Sequence, residues 1–461
     1  MQAQILQTLQ DLRNYALGKG FEVELFYHEE DSYLMRFANS AISLNTNEHL
    51  IRLDITAYSG RKRANYTLIT DLNKLDEMKS GIDMAAGMVE HAQPLTYQPT
   101  IPTFSESFSD ESGCDPALAG FSSADRLDYF NQAVKGLESA EIKLSGIFSS
   151  GTNTIAQITT RSEHSQYFKT SDAQVSIVLA HSRLKWEVTA EQSAQKKTNL
   201  DPAALQRDLV FLVEHYQKDT PQQVPLGMYD IVFGPAAIAE MLGFMNYIAY
   251  NGGSLKRGFS FITEDQIGKK IFSEHFTLID DPDRLETYPF KRDLTGIIRR
   301  SWPIVEKGVF KGFTWFQDDA DEFGAKPTGH NVTHKSLVLC GGDKEVSTLQ
   351  DLVKQPRPKD LLYIPFLHYM NIVNPTKGII TGSSRFGTLL LKKDGSVAIP
   401  YNVRLTQSLL DIFGDKVAWV SKSSLPYNTS QSYGARNPTA ILVPSFMQVN
   451  GLEISHSNSS Y

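Results

Sequence analysis

Cysteine is nearly absent from this chain of 461 residues, which contains only Cys114 and Cys340. Neither belongs to a Cys-x-x-Cys pair, and this argues against both a disulfide framework and a cysteine-rich zinc site. Cys340 ends the apolar run LVLC, which is typical of a buried small residue rather than a nucleophile. A reducing compartment is therefore expected.

Long apolar runs are also missing. No stretch of about 18 apolar residues occurs, so the sequence predicts no transmembrane helix. The first twenty residues lack the basic and apolar segments of a signal peptide, because leucine alternates there with polar residues at helical spacing. We therefore expect a cytoplasmic protein without membrane contacts.

Positive charge is in deficit, with 45 lysine and arginine residues against 52 aspartate and glutamate residues and a formal net charge of -7. A nucleic-acid surface needs clustered lysine and arginine, so direct binding of nucleic acid is not expected. The chain is 41% hydrophobic and 21% charged, as in ordinary globular proteins. Its length predicts two or three domains.

The common nucleotide-binding and catalytic motifs are missing as well. No P-loop, no Gly-x-Gly-x-x-Gly after a strand and no Gly-x-Ser-x-Gly elbow occurs. His330 and His334 have the spacing of a metal-binding helix, but their segment predicts a loop entering a strand, and no glutamate follows the first histidine. Metal binding there is the less favoured alternative. The acidic run 317–322 and the pair Arg299-Arg300 are predicted to be solvent-exposed charge.

Two successive regions predict the same order of elements. In residues 1–115 an amphipathic helix, four short strands and a helix from Asp71 to about His91 follow one another, with Asp71 as the predicted N-cap. Residues 93–123 are rich in Pro, Ser, Thr and Asp and predict an extended linker. Residues 116–225 again give a helix, several strands and a helix that starts at Pro202. A two-fold structural repeat is therefore possible.

Residues 226–461 predict a β-rich domain that opens with the strand MYDIVFG and the helix PAAIAEMLGFMNYIA. The fold class is α+β, with helix/antiparallel-strand units followed by this domain. Apolar residues surround most of the opening helix, which predicts burial between layers. Glu240 is the exception in this helix, and the helix dipole favours a carboxylate so near the N-terminus. It could be a catalytic base, an ion-pair member or a relic.

Several segments of the sequence are not specific singly, but their order and spacing together are characteristic. After the opening helix come GFSFITEDQIGKKIFSEHFTLIDDP, VEKGVFKGFTW, KPTGHNV and MNIVNPTKGIITGSSRFGTLLLKKDGSVAIPYNVRLTQSLLDIF, and the first domain contains RFANSAISLNTNEHLIRLDITAYSG. Their order and spacing resemble the TldD/PmbA family, long labelled modulators of DNA gyrase. The resemblance covers nearly the whole chain.

The resemblance implies one of two kinds of subunit. TldD-like chains carry His-Glu-x-x-x-His on the opening helix and a late cysteine, which together hold zinc, whereas TldE-like (PmbA) chains lack these ligands and pair with TldD. The corresponding positions here are Ala239, Glu240, Phe244 and Tyr433. Alanine, phenylalanine and tyrosine cannot replace imidazole and thiolate as zinc ligands. The chain therefore resembles the non-catalytic subunit, and Glu240 would have no metal-bound water to deprotonate.

The resemblance also implies a heterodimer with a zinc-bearing TldD-like subunit that cleaves unfolded or small peptides, and a homodimer is an alternative when the chain is isolated. No metal is expected in this chain. Extended peptides can add a strand to an open sheet edge, and the candidate groove residues are Asn374, Ser383, Ser384, Arg385 and Phe386. Two alternatives stay open: a self-sufficient metallopeptidase with atypical ligands such as His330 or His334, and a peptide-binding or gyrase-modulating scaffold.

Overall fold

The computed structural model describes residues 1–330, 335–430 and 436–458. The chain has the predicted α+β fold with a β-rich C-terminal region. No helix in the described part is both long enough and apolar enough to cross a membrane. Within these residues the α-helices are α1 (Gln2–Gly18), α2 (Leu75–His91), α3 (Pro116–Ala119), α4 (Ser123–Ala133), α5 (Pro202–Lys218), α6 (Pro235–Ile248), α7 (Gly252–Lys256), α8 (Gln317–Phe323), α9 (Leu349–Lys354) and α10 (Leu409–Phe413).

The N-terminal half contains one continuous antiparallel sheet with an additional parallel strand. Its strands are β1 (Glu22–Ala38), β2 (Ala41–Ser59), β3 (Lys62–Thr70), β4 (Phe108–Gly113), β5 (Ile142–Thr159), β6 (Ser165–His181) and β7 (Glu187–Ala194). The order is β3-β2-β1-β5-β6, with β4 and β7 both pairing with β6. The first strands of the two predicted units, β1 and β5, are therefore neighbours, and one sheet contains strands from both units.

Several local predictions for this half are wrong. Strands β1, β5 and β6 each join two predicted strands, because polar runs such as HEEDS continue the strand instead of forming a turn. His28, Glu29 and Glu30 in that run are buried. Helix α2 starts at Leu75, and Asp71 instead accepts a hydrogen bond from the N–H of Asn73. The predicted linker contains β4 and α3.

The C-terminal half contains two further sheets. Its strands are β8 (Gly227–Phe233), β9 (Leu278–Asp280), β10 (Trp302–Glu306), β11 (Val309–Phe310), β12 (Leu337–Leu339), β13 (Leu361–Ile364), β14 (Phe366–Asn374), β15 (Ile379–Arg385), β16 (Leu389–Leu391), β17 (Val397–Ala398), β18 (Asn402–Ser408), β19 (Val417–Val420), β20 (Ser424–Asn428), β21 (Ala440–Pro444) and β22 (Met447–Asn458). One sheet has the order β11-β10-β9-β12-β21-β20. The other has the order β14-β15-β18-β22-β8-β13-β16-β17, with β19 beside β22.

Helix α6 lies in the apolar core between these two sheets, as its sequence predicts. Its inward side chains Ile238, Met241, Leu242 and Met245 are fully buried. They share one hydrophobic cluster with residues of β8 and β22 from one sheet and of β9, β10 and β21 from the other. This packing fixes the rotation of α6 about its axis and hence the direction of every side chain on it.

Ion pairs join the two halves of the chain. The acidic run 317–322 is not a solvated loop as predicted but lies in α8, where Asp318 forms a paired contact with Arg63 of β3 at 2.6 Å. In the same way the guanidinium of Arg436 donates to both oxygens of the buried Asp172 carboxylate in β6, at 2.6 and 2.8 Å. Two-point pairing of this kind fixes orientation as well as distance.

The packing of α6 predicts a large cost for Leu242→Ala. Removing a fully buried leucine should destabilise the protein by about 2–5 kcal/mol, because the surrounding sheets cannot close the cavity. Tyr247→Ala on the exposed side of the same helix should change stability by only about 0.5 kcal/mol. Urea unfolding of both variants measures this, and equal losses would contradict the described orientation of α6.

Candidate functional site

The start of α6 is fixed by backbone contacts with the β13–β14 connection. The N–H of Gly234 donates to the carbonyl of Ile364, and the N–H of Ala237 donates to the carbonyl of Pro365, both at 3.0 Å. A Cβ on Gly234 would lie 3.0 Å from the Cα of Pro365. Glycine therefore permits the close approach of helix and strand at this point.

The positions that the resemblance singles out on α6 do not face one common point. Ala239 is fully buried in the core, Glu240 is exposed, and Phe244 is half-buried against the core. Successive residues of a regular α-helix are rotated by about 100°, so Glu240 and Phe244 share a side that Ala239 does not. Tyr433 lies outside the described residues.

These side chains do not fit a zinc ion. Zinc needs nitrogen, sulfur or oxygen lone pairs in a tetrahedral set, and Ala239 and Phe244 have none. Glu240 is the one donor among the three. Within the described parts of the chain, no group of three or more His, Cys, Asp or Glu side chains lies close enough together to hold a metal ion.

Beside the first turn of α6, at Pro235 and Ala236, the two halves of the chain enclose a cleft of about 310 Å³. Strand β7 and helix α5 form its N-terminal wall. The beginning of α6, the aromatic side chains Phe366 and Phe386, and strand β20 form the opposite wall. The cleft therefore exists only because the C-terminal half packs against β7.

The carboxyl group of Glu191 and the phenol of Tyr427 meet at this cleft, and the charge of Glu240 acts on both of them from nearby. The side chain of Ser176 donates to Glu191 at 2.9 Å, and Tyr427 of β20 also hydrogen-bonds to Glu191. Burial raises the pKa of Glu191, the two hydrogen bonds lower it, and the nearby charge of Glu240 raises it further. Burial also raises the pKa of Glu240, although its side chain is accessible. Burial therefore shifts both carboxyl groups toward the protonated form, relative to carboxyl groups in water.

A third carboxyl group lines the cleft from α5. Burial raises the pKa of Asp208 to about 6, and the charge of the adjacent Arg207 opposes this increase. Tyr363 faces it from β13, and burial raises the pKa of that phenol, with a further contribution from the charge of Asp208. The cleft thus places carboxyl and phenol groups of raised pKa near apolar and aromatic walls.

The structure places the candidate groove residues on or beside the β14–β15 pair, where they have different surroundings. Of the five, Phe386 alone lines the cleft. The Ser384 side chain is buried and accepts a hydrogen bond from the N–H of Val403 at 3.0 Å. Asn374 caps the turn at the far end of the hairpin, accepting from the N–H of Lys377. Ser383 lies opposite His368 in the pairing of β15 with β14.

Arg385 is engaged within the chain. Its guanidinium contacts Glu187 of β7 at 3.1 Å and lies 4.5 Å from the centre of the Phe386 ring. Phe386 in turn meets Phe366 edge-to-face at 5.8 Å. Arg385 therefore links β15 to β7 at the rim of the cleft, and a peptide carboxylate would have to compete with Glu187 for its charge.

The less favoured histidine site is buried within the protein. His330 packs 4.9 Å from the ring of Trp302, and its Nε2 lies 3.1 Å from Asp280. Burial lowers the pKa of His330 to about 4. Arg299, predicted to be exposed, is buried and pairs with Asp280 at 2.5 Å. His334 lies outside the described residues.

Sequence reasoning missed Glu191, Asp208 and Tyr427. In β7 the polar residues Glu187, Thr189 and Glu191 alternate with apolar ones, a pattern that predicts a solvent-facing side. The C-terminal half covers that side in the structure. Only knowledge of the contact between the two halves would have identified these residues.

The C-terminal half is a metallopeptidase-type domain: residues 226–456 match the family model described as the PmbA/TldA metallopeptidase C-terminal domain. This match covers half of the chain. The chain therefore belongs to the PmbA/TldD family.

Solved structures agree over almost the full length. TldE from Thermococcus kodakarensis matches with a TM-score of 0.80 at 18% identity, covering 97% of this chain and 100% of that one. A protein of Bacteroides thetaiotaomicron named as a candidate modulator of DNA gyrase matches with a TM-score of 0.78 at 16% identity, covering 97% and 98%. A Thermotoga maritima protein of similar name gives 0.74 at 13% identity, covering 97% and 99%. These matches establish the fold.

The match to a curated relative covers a much shorter part of the chain. An uncharacterized protein of Methanocaldococcus jannaschii is 29% identical over 102 residues, which are 22% of this chain and 24% of that protein. The alignment therefore spans about a quarter of that relative's length.

The raised pKa of Asp208 predicts a pH-dependent stability. Its folded-state pKa of about 6 exceeds the ordinary value of about 3.9, so the folded chain binds the proton more tightly, and stability falls as pH rises from about 4 to 6. Asp208→Asn should therefore be more stable than the unaltered protein by about 1–3 kcal/mol at pH 8, and the difference should narrow at pH 5. Urea unfolding at both pH values tests this. The exposed Asp219→Asn, at the end of the same helix, serves as control, and a gap independent of pH would contradict the assignment.

Proposed function

We propose that this chain is the non-catalytic subunit of a TldD/TldE-type metallopeptidase complex, in which a TldD-like chain supplies the zinc and the hydrolytic site. The observation that carries the proposal is the donor set on α6. Alanine at 239 and phenylalanine at 244 offer no lone pairs to a metal, and the rotation of the helix buries position 239. The likeness to TldE from Thermococcus kodakarensis supports the same assignment.

The self-sufficient peptidase is the weaker alternative. His330 lies in a closed contact with Trp302 and Asp280 rather than beside the cleft, so an atypical metal site there would have no open face for substrate. The gyrase-modulating scaffold has support only in the names of structural relatives.

The sheet edge at β14 supports a role in holding peptides. Strand β14 ends its sheet, and its side chains Tyr369 and Val373 are 79% and 57% exposed. The same strand begins at Phe366, which lines the cleft. An unfolded peptide paired with this edge would form backbone hydrogen bonds with β14, and one of its ends would lie at the cleft. Such binding tolerates varied side chains, as a peptidase of unfolded peptides requires.

Reconstitution with a TldD-like chain tests the subunit assignment. Peptide cleavage should require both chains, and Glu240→Ala in this chain should leave kcat/KM of the assembled complex unchanged, because its carboxylate has no metal-bound water to activate. The matched control replaces the glutamate of the partner's His-Glu-x-x-x-His, which should abolish cleavage. Loss of activity in a correctly assembled Glu240→Ala complex would show instead that this carboxylate takes part in the chemistry.

Val373→Lys tests the β14 edge. A lysine on an edge strand opposes the addition of another strand, so KM for an unfolded peptide should rise while subunit assembly is preserved. Met88→Lys, an equally charged change at an exposed position of α2, is the control. Equal KM values for both variants would rule out β14 as the peptide-binding edge.

A further inference from the structure

A second pocket, of about 260 Å³, lies in the N-terminal half between the β1–β2 hairpin and the start of α4. It is separate from the cleft and is lined by Tyr33, residues 45–47, residues 119–123 and Arg126. Asn45 and Asn47 are exposed and carry amide groups that can donate hydrogen bonds. The lining thus combines small polar side chains with one arginine.

Arg126 is buried at this pocket without a matching negative charge. It is only 2% exposed, and its terminal nitrogens donate to the carbonyl of Phe121 at 2.6 Å and to the hydroxyl of Ser123 at 3.1 Å. Its Nε has no hydrogen-bond partner in the described residues, and the carboxylate whose charge acts on it is that of the adjacent Asp125. The guanidinium lies 5.1 Å from the centre of the Tyr33 ring. Burial lowers the pKa of Arg126, and the interactions with Tyr33 and Asp125 only partly oppose this decrease.

The N-terminus of α4 adds to the positive potential. Ser122 and Asp125 form a capping box, in which the Asp125 carboxylate faces the N–H and hydroxyl of Ser122. Helix geometry leaves the N–H groups of Ser123 and Ala124 without an intrahelical acceptor. Lys197 lies 5.3 Å from the centre of the Phe121 ring and partly offsets the charge of Asp125. The charges of Arg126 and Lys197 both act on Asp125 and partly offset its negative charge.

We propose that this pocket binds a small oxyanion, the phosphate or carboxylate group of a small molecule, with Arg126 as its principal partner. The arginine lies at a helix N-terminus, the arrangement that proteins use for phosphate and carboxylate. Ser123 and the amides of Asn45 and Asn47 supply further donors around the anion. An anion in this position would add a second negative charge next to the buried guanidinium, which Asp125 compensates only in part.

Calorimetric titration of the full chain with inorganic phosphate, and separately with succinate, tests the proposal. Binding of either probe is expected, and the preferred probe identifies the source of the oxyanion. Arg126→Gln should weaken binding at least tenfold, and Arg126→Lys should restore part of it because charge returns without the planar fork. Affinity should also fall as sodium chloride is raised.

A substitution at the exposed edge of the pocket tests the proposal even if the Arg126 variants do not fold. Asn47→Asp places a negative charge at an exposed position and should weaken binding severalfold, whereas Asn14→Asp makes the same change on the exposed side of α1 and should not. If neither probe binds the folded wild-type chain, or if Asn47→Asp binds as tightly as wild type, the proposal is wrong.

Discussion

The burial of α6 between two sheets is the constraint on which the rest of the C-terminal half depends. Its apolar side chains contact both sheets, so the helix cannot rotate without exposing leucine and methionine side chains to water. That orientation buries Ala239 and leaves Glu240 outside the core. If a chain carried metal-ligating side chains at positions 239 and 244, the same packing would determine where those side chains point. Here the same packing presents one carboxylate and an aromatic ring.

The contact between the halves then determines the chemistry of the cleft. Pairs such as Arg385–Glu187 and Arg436–Asp172 connect the C-terminal half to β7 and β6. The space beside them excludes enough water to raise the pKa values of Glu191 and Asp208. No histidine or cysteine accompanies these carboxyl groups in the described lining of the cleft.

Periodicity predicted the parts of the fold that depend on local pattern. The buried stripe of α1, the start of α5 at Pro202 and the burial of α6 follow from 3.6-residue spacing and from proline at the first helical turn. The long strands were divided wrongly because charged residues such as Glu29 and Glu30 are buried inside them through contacts made with distant residues. Polar residues that are buried only by the other half of the chain, such as Glu191, carry no local signal. Local pattern therefore singled out α6 but gave no signal for β7 and β20.

The zinc content of each subunit tests whether this chain is the non-catalytic partner. The purified chain and the chain reconstituted with a TldD-like partner should be dialysed against a buffer containing trace zinc, separated, and analysed by mass spectrometry for bound metal alongside peptide cleavage. We expect no stoichiometric zinc and no cleavage for this chain alone, and we expect one zinc ion to be recovered on the partner. One tightly bound zinc per copy of this chain, with cleavage that stops when the metal is removed, would contradict it.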